Sequence, residues 1–350
     1  MVCIAAFILL CLMSVFVGIL AIFKPSVGKK YWGMFKKGWG CIGKRVTFQK
    51  CDTNFKEDIK NSVLRKVVLK KPKMVKPVSF AIEVVAILIV LLTVFSLAEV
   101  AKGGLAMIVF GTCTVQQPDA CVLGGVDVCP VGGERLNWFQ EWGVVLSALP
   151  GRLRTWDEAS HLPTNPQFYH AFNEELPVAL YVFDPGCDMC LQSFRSKLES
   201  GFFESYNVAM LPFATEAETR EIRFQNSDIL VRYMIALGEV PLGGLSERDV
   251  TAAWRLTYML FMEFSPEHVI WQSAMQAMDT TPDDVHEIVG EWLVKWGYTE
   301  LEAARIRALV DESEVVDARI AEIRNIVMDD IRVIGVPTTI FDGRKRAGVF

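Results

Sequence analysis

Histidine and charge are both scarce in this 350-residue sequence: there are four histidines, and 22% of residues are charged against 51% hydrophobic. With a mean hydropathy of +0.29, the chain is too apolar for a disordered tail, and membrane insertion is the first property to test. His161, His170, His268 and His286 form no ligand-spaced pair, and there is a single Cys-x-x-Cys. A metal site is therefore not expected. Nine cysteines are too few for a disulfide-stapled miniprotein, and neither an internal repeat nor a low-complexity tract is present. A uniformly basic nucleic-acid binder is excluded by the net charge of −5. That figure hides an asymmetry: residues 24–77 carry 16 Lys and Arg against three Asp and Glu, or +13, leaving −18 elsewhere.

Long apolar runs are present instead. Residues 1–23 contain no charged side chain, and 78–100 contain only Glu83 and Glu99, each near an end. Both meet the ~20-residue requirement for crossing a ~30 Å hydrocarbon core, so two transmembrane helices are expected, over 1–23 and 78–101. No basic region precedes the first run, which favours an anchor over a cleaved signal peptide. The Lys and Arg bias places the 24–77 loop on the cytoplasmic side, and the N-terminus and everything after about 101 outside. The loop's basic pairs and its Tyr31, Trp32, Phe35 and Trp39 suggest RNA, but tethering at both ends makes contact with anionic lipid headgroups the simpler account. Cys41 and Cys51, with no second pair nearby, read as reduced free thiols.

Residues 102–164 read as an extracytoplasmic linker. Leu105–Phe110 is too short to span and is expected as an interfacial segment or an opening strand. Cys113, Cys121 and Cys129 follow at even spacing; one disulfide among them plus one leftover thiol is the expectation. Asn137–Leu149 has helical apolar spacing.

The motif that carries chemistry begins at Val178. A β-rich run to Phe183, a Pro185-Gly186 break, Cys187-Asp188-Met189-Cys190, and then Leu191, Phe194, Leu198 and Phe202 describe strand, turn and amphipathic helix. Cys187 falls at the helix N-terminus, where unpaired N–H groups and the macrodipole stabilise a thiolate. Cys190, one turn on, is placed to resolve a mixed disulfide formed at Cys187. Asp188, beside the thiolate, disfavours it, and with Met189 is expected to tune the redox poise. Far downstream, Gly335-Val336-Pro337-Thr338 opens a strand to Phe341, an Asp342-Gly343 turn and a return strand. A cis bond before Pro337 would expose the Val336 backbone to an extended substrate.

Together these motifs resemble the thioredoxin fold, and the 146 residues between Cys190 and Pro337 resemble its DsbA-like branch, which carries a helical insertion. The resemblance covers residues 165–350, with the insertion at about 214–330. Helical spacing at Ile229–Leu237, Val250–Phe264, Pro266–Met278, Pro282–Trp296 and Glu300–Met328 agrees with it, and Tyr206–Phe213 suits the second strand. The resemblance implies an α/β thioredoxin-like fold with a helical insertion, which the two transmembrane helices expected from the apolar runs precede, with Cys187 as nucleophile, Cys190 as resolving thiol, Pro337 as the cis proline and Val336 as a substrate contact. It implies protein thiols and disulfides as substrates, a redox partner protein, no cofactor and no metal. Departures stand beside it. Tyr181 occupies the place of a buried carboxylate six residues before the first cysteine, Asp188-Met189 is unlike the Pro-His of strong oxidants, and the terminal helix that relatives lay over the sheet has no counterpart, so either Asn137–Leu149 or a partner covers that face or the domain is less stable than its relatives. The expected function is a two-pass, membrane-anchored thiol:disulfide oxidoreductase with an extracytoplasmic catalytic domain. The alternatives are a redox-inactive thioredoxin-fold binding module and a metallochaperone using the same cysteine pair.

Overall fold

The computed structural model describes residues 75–116, 127–132, 136–153, 155–217, 219–243 and 249–350. The expected span 1–23 and all but the last three residues of the basic loop lie outside them. Helix α1 (Val75–Phe110) runs for 36 residues. Within it Leu91–Phe110, 20 residues of mean hydropathy 1.6, is long and apolar enough to cross a membrane, the one such stretch among the described residues. Leu105–Phe110 is thus the end of this helix and not a separate interfacial segment or strand. Gly103-Gly104 costs only about 1 kcal/mol per glycine relative to alanine, and Ala106, Val109 and Phe110 just beyond are buried in a small cluster with Val145, flanked by Ile334. Val145 belongs to α2 (Trp138–Leu153), whose start is held by Asn137, its Oδ1 accepting from the Phe139 and Gln140 amides at 3.1 and 3.0 Å.

Residues 102–164 are more than a linker, because they also supply β1 (Cys129–Pro130) to the domain that follows. That domain is built on β2 (Val178–Phe183), whose last five residues are fully buried. Such an unbroken apolar run is what a strand covered on both faces requires. The hinge from β2 leads into α3 (Asp188–Glu199) and α4 (Phe202–Ser205), which cross back to β3 (Asn207–Pro212), parallel to β2 from Val178↔Asn207 to Phe183↔Pro212.

The insertion then comprises α5 (Ser227–Glu239), α6 (Ala252–Met262), α7 (Trp271–Met275), α8 (Pro282–Trp296), α9 (Glu300–Asp311) and α10 (Glu314–Asn325). Two expectations fail here. Only Trp271–Met275 of the span Pro266–Met278 is helical, because Phe264 and Ile270 bridge and the Ser265 amide donates to the Val269 carbonyl, closing a tight loop. The Glu300–Met328 helix breaks after Asp311, where the Ser313 hydroxyl accepts from the Val316 amide and starts α10. The insertion packs on the sheet through Trp254 of α6, fully buried and in ring contact with Tyr169, Tyr181, Phe183, Phe194 and Phe203.

The chain returns through β4 (Gly335–Val336), β5 (Thr338–Phe341) and β6 (Arg344–Ala347). Asp342 and Gly343 turn the hairpin at φ 50° and 69°, the left-handed pair that a two-residue turn demands. The resulting four-stranded order β3-β2-β5-β6, with one parallel pair, a helical crossover and an antiparallel hairpin, is a thioredoxin-like α/β arrangement.

Candidate active site

The site forms where β2 ends. Asp184 is fully buried just past the strand and organises the turn. Its carboxylate accepts from the Gly186 amide at 2.7 Å, the Thr215 amide and hydroxyl at 2.7 and 2.8 Å, and the Ser227 hydroxyl at 2.5 Å. Burial pushes its pKa up, and these hydrogen bonds oppose the shift. From the insertion, Gln272 and Gln276 donate to the Pro185 and Gly186 carbonyls at 2.9 and 2.8 Å. The turn is therefore clamped from two sides, and Cys187 is delivered as the N-cap residue of α3.

Cys190 sits one turn along, fully buried, as a free thiol. Tyr181 donates its hydroxyl proton to the Cys190 carbonyl at 3.0 Å, fixing the backbone in the first turn of α3. Burial pushes the Cys190 thiol well above its usual range; the Asp184 amide, 3.4 Å from the sulfur, works the other way. The nearby Asp184 carboxylate raises the thiol further, and Lys197 lowers it.

Lys197 is fully buried on α3. It donates to the Ser193 hydroxyl at 2.7 Å, and its ammonium nitrogen lies 3.8 Å from the Phe350 ring centre and 5.0 Å from that of Tyr181. Burial lowers its pKa to about 7. Asp188, by contrast, is exposed in the first turn of α3, and Met189 is half-buried against the core. The buried charges beside the cysteine pair are thus Asp184 and Lys197.

The downstream motif arrives at the same place. The Val336–Pro337 peptide is cis, and the Cys187 sulfur lies 3.7 Å from the Val336 carbonyl oxygen. Cys187, Cys190, Val336 and Pro337 are thereby brought together, while Asp188 faces solvent.

The cysteine pairing departs from expectation. Cys129 is bonded to Cys187, 58 residues away, with Cα atoms 6.3 Å apart, and Cys113 is disulfide-bonded as well. The expected leftover thiol among the three linker cysteines is not Cys129. β1 pairs antiparallel with β4, Cys129 opposite Val336 and Pro130 opposite Gly335. The Val336 backbone is consequently buried under a strand of the chain itself. Reasoning from the sequence missed Cys129, Asp184 and Lys197 as members of this site. Only Asp184 carried a local signal, a carboxylate at a strand end immediately before the Pro-Gly turn.

No protein-family model matches the sequence, and no curated protein does so. Among solved structures, the thiol-disulfide exchange protein alpha-DsbA2 from Wolbachia pipientis is similar at 13% identity and a TM-score of 0.34, over 52% of this chain and 80% of its own. The thiol-disulfide oxidoreductase MdbA from Corynebacterium diphtheriae is similar at 12% identity and 0.36, over 54% of this chain and 92% of its own. MdbA from Actinomyces oris gives 15% and 0.36, over 53% and 84%. At these scores the likeness adds nothing to the strand order and site geometry, which stand by themselves.

Proposed function

We propose that this protein is a membrane-anchored thiol:disulfide oxidoreductase acting on extracytoplasmic protein cysteines. One observation carries the reading: Cys187, at the N-cap of α3, is engaged in a disulfide with a cysteine on an extended strand, while Cys190, one turn on, is a free thiol. That arrangement is the one a mixed disulfide awaiting resolution adopts. In turnover a client thiolate attacks the Cys187 sulfur of a Cys187–Cys190 disulfide, Cys190 leaves as thiolate, and a second client thiolate displaces Cys187. The client gains a disulfide and the pair is left with two thiols. Run in reverse, the same steps reduce a client, and a redox partner protein resets the pair in either case.

Cys187 is the nucleophile, Cys190 resolves, and Val336 with Pro337 holds the client backbone. In this reading the apolar stretches 1–23 and 78–101 anchor the chain, the basic loop faces anionic lipid on the cytoplasmic side, and the catalytic domain lies outside. The test removes Cys129, which otherwise competes for Cys187. Full-length Cys129→Ser/Cys190→Ala protein should accumulate disulfide-linked client adducts at Cys187, and Cys129→Ser/Cys187→Ala should accumulate none. Equal trapping by both, or stoichiometric retention of Cu(I) or Zn(II) by Cys129→Ser protein, in which the pair is intact, would overturn it.

A further inference from the structure

Both cysteines of the Cys-x-x-Cys motif are fully buried, so no external chain reaches Cys187 in this state. What covers it is β1. Besides facing Val336 and Gly335, this strand is held by the Val131 amide donating to the Ile334 carbonyl at 3.2 Å and by the Glu216 amide donating to the Val131 carbonyl at 3.0 Å. Val128 and Val131, on either side of the Cys129-Pro130 pair, are buried. The fit depends on glycine: a Cβ on Gly335 would lie 2.6 Å from Val128 Cγ2, and one on Gly132, at φ +91°, would overlap the Glu216 carbonyl. Main-chain pairing to a strand end, with flanking side chains in pockets, is how extended peptides are recognised by strand addition.

We infer that Cys129 is a third redox-active cysteine, and that its strand occupies in cis the groove in which clients are held. The inference rests on the disulfide-exchange reading above. A purely structural bridge has no use for a free thiol one helical turn from one of its sulfurs, and Cys190 is such a thiol. In the exchange, the Cys190 sulfur bonds to Cys187, the Cys129–Cys187 bond breaks, and the proton lost by Cys190 ends on Cys129. One disulfide and one thiol are present before and after, so no oxidant or reductant is consumed. The ratio of the two forms is accordingly set by what fills the groove and not by the ambient potential.

The bound strand also describes the client: an extended segment with apolar residues one before and two after its cysteine, and no need of an amide N–H at the following position, where Pro130 stands. A tethered thiol acts at an effective concentration on the order of 1 mM. Against a client at ~10 µM, Cys129 should therefore suppress adduct formation about a hundredfold.

The test uses full-length protein in detergent, acid-quenched, alkylated and digested without reduction. Wild type should yield both the 129–187 and the 187–190 linked peptides, and Cys190→Ala only the former. Gly132→Ala, which retains every cysteine but displaces β1, should shift the wild-type ratio toward 187–190. With a synthetic peptide of residues 126–131 at 10 µM as oxidised dimer, Cys129→Ser/Cys190→Ala should form the Cys187 adduct about a hundredfold more than Cys190→Ala alone. A wild type that shows only the 129–187 link, or equal adduct yields in the two variants, overturns the inference and leaves the oxidoreductase reading standing. Absence of any Cys187 adduct in the double variant, with this peptide and with oxidised glutathione alike, overturns the oxidoreductase reading itself.

Discussion

Replacing Lys197 by methionine should stabilise the protein near neutral pH while slowing the chemistry of Cys190. Burial lowers the Lys197 pKa from 10.5 to about 7. At ~1.36 kcal/mol per unit, that corresponds to a penalty of about 5 kcal/mol for holding the ammonium in the fold. Below pH 7 both folded and unfolded chains carry the proton, and the full penalty applies. Between pH 7 and 10.5 the unfolded chain keeps a proton that the folded chain has shed, so stability rises with pH and the penalty fades. Methionine has a similar stem and no charge, but it forfeits the Ser193 hydrogen bond and the contacts with the Phe350 and Tyr181 rings, together roughly 1–3 kcal/mol. Lys197→Met should therefore gain about 2–4 kcal/mol at pH 6 and little by pH 10. Urea unfolding of the full-length protein in detergent at pH 6, 8 and 10 measures this. A gain that does not change with pH, or a loss at pH 6, refutes the reasoning. Because Lys197 also lowers the Cys190 pKa, its removal should reduce the thiolate about tenfold per unit of rise. Resolution of a Cys187 adduct, followed by quenched alkylation, should slow accordingly.

Three further substitutions test the scaffold of the site. Trp254→Ala removes the ring that joins the insertion to β2 and α3 and should cost about 3–5 kcal/mol in urea unfolding; a cost under about 1 kcal/mol would mean the insertion does not depend on this contact. Asp184→Asn leaves at least one of its four donors without an acceptor, so stability should fall by about 1–3 kcal/mol. Since the Asp184 carboxylate raises the Cys190 thiol, alkylation of Cys190 mapped by mass spectrometry should show a lower pKa in that variant, and a higher one would contradict the assignment. Tyr181→Phe loses the hydrogen bond to the Cys190 carbonyl and should cost about 1 kcal/mol, with an unchanged unfolding midpoint counting against it.

What was legible in the sequence was local. The start of α8 at Pro282 is written in Thr281 and Asp284, whose side chains and amides cap each other, and its end in Gly297 at φ 108°. The strand, turn and helix around Cys187 were likewise readable, because an apolar run, a Pro-Gly pair and a 3–4 spacing are each set by neighbours in the chain. Long-range partners were not. An extracytoplasmic setting suggests one disulfide among Cys113, Cys121 and Cys129 with one thiol left over, whereas Cys129 finds Cys187 only because β1 is laid along Gly335–Val336 by the tertiary fold. Lys197 lies between Phe194 and Leu198 in a pattern where a lysine reads as the solvated face. Among the rings that lie over it is that of Phe350, 153 positions away. The continuation of α1 through Gly103-Gly104 had the same origin, in packing against α2 that no window of local sequence contains.

The central claim, that Cys187 performs disulfide exchange, is tested most directly by rate. Full-length Cys129→Ser protein, mixed with a two-cysteine peptide and glutathione at micromolar enzyme, should accelerate peptide disulfide formation or reduction well above the uncatalysed exchange, and Cys129→Ser/Cys187→Ala should return it to the uncatalysed rate. Equal rates for the two proteins would contradict the account.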